Sequence, residues 1–296
     1  MLPEGREVVR MSPPYPTGGV LSGPSVAHRR RCAGLSDSLG VRHQQLLDKL
    51  AAPLLVRALN EDLARWVSWQ LLTHPEDHHE LTRAVIPPIL TRWRCLLDAD
   101  DTAAATRHRG WVAMAVLLHR YGLAAPAVTA HASAAIDSLN RDVVLSDAFA
   151  RQSPAIKDFL STPPPPLTRR PRRPGTLTLL RPGDVVSIQV KASFHAAFVR
   201  EVAGGNEYPV IEFYAGRFDR PPTFGELSGR AAVRDRGGAR FGVVGLTYLP
   251  DPANQVRALA AGYQQPPLGT DPGPGEGRYT MTDIIRLQHV IDRLFG

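Results

Sequence analysis

The chain has two cysteines, Cys32 and Cys95, too few for a disulfide framework or a cysteine metal site. A reducing, cytoplasmic setting is the resulting expectation. No apolar run approaches the ~18 residues that a membrane-spanning helix needs, so no membrane partner is expected. Residues 1–27 carry no apolar core behind a basic start, and no signal peptide is expected. Several catalytic signatures are missing as well. The sequence holds no HExxH, no Walker or GxGxxG phosphate loop and no GxSxG nucleophile elbow. No cofactor is therefore expected. No fixed-period repeat is present either.

What is there suffices for folded cores. The chain has 296 residues, 43% of them hydrophobic, which is too apolar for a disordered chain. Its 25 glycines and 27 prolines cluster, so they punctuate segments. The net charge is +7, unevenly spread. Residues 1–40 contribute +2, 41–160 contribute 0, 161–180 contribute +4 and 181–296 contribute +1. The basic excess is thus a local feature on two nearly neutral stretches.

Residues 1–41 are rich in Gly, Pro, Ser and Arg without periodicity, and read as a disordered leader. Residues 42–160 carry apolar stripes at helical spacing. Leu46, Leu47, Leu50 and Leu54 form one, interrupted by Pro53. Leu63, Trp66, Val67 and Trp69 form the next, and Leu81, Val85, Ile89 and Trp93 a third. Gly122 reads as a helix stop, and Pro126 as the first turn of another helix. Trp66, Trp69, Trp93 and Trp111 fall on these stripes and read as core. Five or six short-linked helices imply an all-α bundle.

Residues 161–175 read STPPPPLTRRPRRPG. Four successive prolines favour extended polyproline geometry, so this is a stiff linker. Residues 176–296 are strand-like: Thr176–Leu180, Val185–Val190, Phe194–Val202, Tyr208–Tyr214 and Phe241–Leu249. Arg181–Asp184 reads as a turn and 224–233 as a short helix. Thr280 with Asp283 resembles a helix cap ahead of the Ile284, Leu287, Ile291 and Leu294 stripe. The predicted fold class is α+β multidomain. An N-terminal all-α bundle precedes a small C-terminal domain, either β-barrel-like or a bent antiparallel sheet, with a terminal helix. The two are expected to pack independently.

Four groups of residues invite chemistry. His74, His78, His79 and Glu80 resemble metal ligands, but a solvated helix start explains them as well. Asp98, Asp100 and Asp101 lack the rest of a calcium loop and read as a polar turn. His195 with Asp184 or Glu212 could serve general acid–base catalysis if the fold brought them together. Arg169, Arg170, Arg172 and Arg173 are the clearest exposed feature, suited to an acidic protein or to nucleic acid.

Arg181-Pro182-Gly183-Asp184-Val185-Val186-Ser187-Ile188, followed by the Phe194–Val202 strand, resembles the opening of small β-barrel domains in bacterial polymorphic-toxin immunity proteins. Gly183 and Asp184 match the turn of that pattern, and Phe194, Phe198 and Tyr214 are strand aromatics by position. The resemblance spans about residues 176–250. It implies a non-enzymatic protein that binds and neutralises a partner toxin. The basic balance points away from a nuclease as that target.

The function read from the sequence is a non-enzymatic protein-binding or adaptor protein, in immunity-like form where the resemblance holds. A nucleic-acid-binding protein using the Arg-rich linker is one alternative. A small-barrel hydrolase or nuclease using His195 is the other. A protein partner is favoured over nucleic acid.

Overall fold

A computed structural model describes residues 42–73, 78–175, 177–235, 238–269 and 279–296. The expected leader lies outside them. Residues 42–49 form helix α1. Pro53 then opens α2 (Pro53–Thr73) at its first turn, where a missing N–H costs no hydrogen bond. Proline therefore divides the leucine stripe into two helices. Helices α3 (His78–Leu97), α4 (Ala104–Arg120), α5 (Pro126–Ser138) and α6 (Asp147–Ser161) follow. Gly122 ends α4 with φ +75°, and a side chain there would meet the Pro165 carbonyl at 2.9 Å. A π-turn at Leu139–Val143 prolongs α5, and Ser146 caps α6 by accepting from the Phe149 amide.

After the extended 161–175 stretch come β1 (Val185–Val190), β2 (Ser193–Ala203), β3 (Tyr208–Phe213) and the four-residue helix α7 (Phe224–Leu227). The strands β4 (Arg240–Val244), β5 (Val256–Ala260) and β6 (Thr280–Asp283) and the helix α8 (Leu287–Phe295) complete the chain. The sheet order is β5-β1-β2-β3-β4-β6, antiparallel except for the parallel β4–β6 pair. The barrel-like expectation is thereby corrected. The sheet is open and mixed, with β5 and β6 as its edges. Thr280–Asp283 is also a strand and not a helix start. Asp283 caps the turn after it, accepting from the Ile285 and Arg286 amides.

Alternation along each strand gives the sheet two faces. Val186, Ile188, Ala197, Val199, Ile211, Phe213, Phe241 and Val243 share one buried cluster with Leu59, Leu63, Trp93 and Met114 of the helices. Val185, Ala196, Phe198 and Tyr214 face the other way, beneath Phe218 and Leu227. Helices and strands thus separate in sequence at 161–175 while their packing is continuous. Leu39–Gly296 forms one compact unit. Among the described residues, no helix is long and apolar enough to cross a membrane.

Candidate functional site

The acid–base candidates lie apart. Glu212 sits near the end of β3 opposite Phe198, with no solvent exposure. Its carboxylate accepts from Arg200 Nε at 2.5 Å and Arg240 Nε at 2.8 Å, so one buried charge is matched by two guanidiniums. His195 pairs with Ile188 and belongs to the opposite, helix-covered face. Its ring lies 4.5 Å from that of Phe295, and its Nδ1 is buried without a hydrogen-bond partner among the described residues. Burial, reinforced by nearby Arg217 and only partly offset by Asp292, pushes the imidazole down to about 4. Asp184 closes the predicted turn, its Oδ2 accepting from the Arg181 amide at 2.7 Å. It lies level with Val199, four residues along β2 from His195, which is about 13 Å at strand rise. No pair of these three forms a catalytic dyad.

Asp98 and Asp101 are ion-paired with Arg94 and Arg257. His74 lies outside the described residues, as do the side chains of His78 and His79.

A buried polar network was invisible to the sequence reading. Arg92 on α3 donates from Nε to Asp62 at 2.7 Å and from its two Nη atoms to Asp251 at 2.9 Å. It also reaches Gln255 at 3.0 Å, and Trp93 donates to the same Asp62 oxygen. Asp251 in turn accepts from the Ala253 and Val256 amides. The network ties α2 and α3 to the turn that enters β5. Close by, Gly245 adopts φ +85°, and a side chain there would strike the Arg65 guanidinium at 2.6 Å. The Arg92 guanidinium and the two carboxylates it meets thus serve packing, while Gln255 Nε2 and Arg65 Nη2 are buried without a hydrogen-bond partner among the described residues.

The arginine-rich segment is different. It is pinned along its length, by Pro165 against Gly122 and by Leu167 packed on the main core. Just beyond it, Thr178 donates from its amide to Asn206 at 2.8 Å and from Oγ1 to Leu246 at 2.7 Å. Between these anchors Arg169, Arg170, Arg172 and Arg173 are all exposed. None of the four has an ion-pair partner among the described residues. The Arg173 guanidinium carbon lies 5.5 Å from the centre of the Trp69 ring, and that of Arg286 lies 3.9 Å from the same ring. Trp66 and Trp93 are core residues as expected. Trp69 and Trp111 are half-buried and pack against that core at its edge. Leu72, one turn on from Trp69, is 51% exposed. Leu177 and Leu179 also face water, alternating with buried Thr178 and Leu180. No family model, curated protein or solved structure matches this chain.

Proposed function

We propose that the protein is a non-enzymatic binding protein whose arginine-bearing segment docks an acidic face of a protein partner. One observation carries this reading: four exposed guanidiniums without acidic partners are displayed on a segment anchored at both ends. Anchoring reduces the entropy lost when a partner binds. Arginine and tryptophan are the residue types that dominate binding energy at interfaces. Exposed Leu72, Leu177 and Leu179 favour a protein over nucleic acid, because a phosphate backbone gains nothing from aliphatic contacts. Against an enzyme stands the separation of His195, Asp184 and Glu212, each engaged in the fold. In immunity-like form, resting on the resemblance at Arg181–Ile188, the partner is a toxin with an acidic surface. A reducing, cytoplasmic setting accompanies the proposal; Cys95 is a buried free thiol that burial pushes up to about 11.

The test is photo-cross-linking of the full chain with a photoreactive residue in place of Arg170. A protein adduct should form that is weakened by salt and abolished by Arg169→Gln, Arg172→Gln and Arg173→Gln together. Predominant cross-linking to nucleic acid would replace this reading with the nucleic-acid one. Absence of any adduct would count against both.

A further inference from the structure

Within the proposed surface, two cations share one aromatic ring. Trp69 comes from α2, Arg173 from the proline-rich segment and Arg286 from the turn before α8. Three distant parts of the chain therefore meet at one indole. Both guanidiniums lie within the ~6 Å at which a cation is attracted by an aromatic face. Stacking occupies the flat face of a guanidinium and leaves its N–H edge for bidentate hydrogen bonding.

Arg173 is exposed and Arg286 half-buried. Among the described residues neither the Arg173 nor the Arg286 guanidinium has a hydrogen-bond or ion-pair partner. The nearest acid in sequence to Arg286 is Asp283, which acts on Arg286 and Arg65 through charge at a distance but is not ion-paired to Arg286; its Oδ1 accepts from the Ile285 and Arg286 amides. Two like charges held at one ring repel each other, and an anion placed between their edges would relieve that repulsion. The contrast with Glu212 is direct. There, one carboxylate of the chain itself already bridges two guanidiniums.

We propose that Trp69, Arg173 and Arg286 form a carboxylate-binding site that anchors an Asp or Glu side chain of the partner. The proposal rests on the protein-binding reading above and gives it a specific contact. The carboxylate is clamped by the N–H edges of the two arginines, and the indole holds both guanidiniums in place beneath it. Leu72, next to Trp69 on α2, supplies apolar area at the rim.

The test titrates the full-length protein with a hexaglutamate peptide and follows tryptophan emission at low salt. Trp66 and Trp93 are buried and half-buried Trp111 stacks on His131, so the part of the change that vanishes in Trp69→Phe reports this site. Arg173→Gln and Arg286→Gln should each weaken binding about tenfold, the effect of losing a charge-assisted hydrogen-bond pair. Arg286→Lys should recover only part of the loss, because lysine lacks the planar fork. Thermal unfolding of each variant should match the parent, which separates lost binding from lost folding. If Arg286→Gln and Trp69→Phe bind hexaglutamate as the parent does, while neutralising Arg169, Arg170 and Arg172 abolishes binding, this site is wrong and the wider surface stands. If the parent binds oligothymidylate but not hexaglutamate, both are overturned.

Discussion

Arg92 and the arginines at 169, 170, 172 and 173 carry the same group in opposite surroundings. Arg92 is buried with two carboxylates and an amide around it, and those neighbours hold its proton more firmly than usual despite the cost of burial. The linker arginines are exposed and lack acidic neighbours among the described residues. In the first setting, removing one partner strands a charge in a low-dielectric interior. In the second, removal changes only what the surface attracts. A count of basic residues cannot distinguish these roles; burial and partners do.

The contrast breaks most visibly at Arg92. Asp251→Ala should cost about 3–5 kcal/mol, the range for unpairing a buried charge. Urea unfolding of the full chain measures it, and a loss under about 1 kcal/mol would mean that water or another group replaces the carboxylate. The same network implies that residues 42–160 expressed alone unfold without cooperativity, since Asp251 and more than a third of the main core would be absent.

A smaller effect belongs to His195. Its folded pKa, about 4, lies below the unfolded value near 6.5, so the unfolded chain takes up the proton first as pH falls. Stability is complete above about pH 6.5 and declines as pH drops towards 4, by about 3 kcal/mol at most. His119, also lowered by burial, acts in the same direction. Unfolding free energies of His195→Leu across this window should be flatter than those of the parent. An identical slope would show that His195 titrates normally.

Glu212→Gln keeps the shape and removes the charge, leaving two guanidiniums on a neutral acceptor. A loss of about 2 kcal/mol is expected in the same urea experiment. A gain in stability would mean that burying the carboxylate costs more than its two arginines return.

Much of the local structure was legible because local chemistry decides it. Pro53 and Pro126 open helices, Gly122 stops one, and Asp184 closes the Arg181 turn, each through groups a few residues apart. The hairpin strands β1 to β3 followed from alternation. The parallel strand β6 did not, because Thr280 and Asp283 satisfy a helix-cap pattern and only pairing with distant β4 makes them a strand. Edge strand β5 is short and lacks strong alternation, and its place is fixed by β1. The Arg92 network joins residues 159 positions apart, and no periodicity encodes that. The arginine segment was found from composition alone. Its anchors and its stacking on Trp69 needed three dimensions.

The most direct measurement places folding and binding side by side in one variant, with Arg169, Arg170, Arg172 and Arg173 all changed to Gln. Its thermal midpoint should stay within about 3 °C of the parent, as expected for exposed substitutions. Its salt-sensitive binding of hexaglutamate and its cross-link to a protein partner should both disappear. A variant that melts far lower would make these arginines part of the fold, and one that binds as the parent does would remove them from the binding surface.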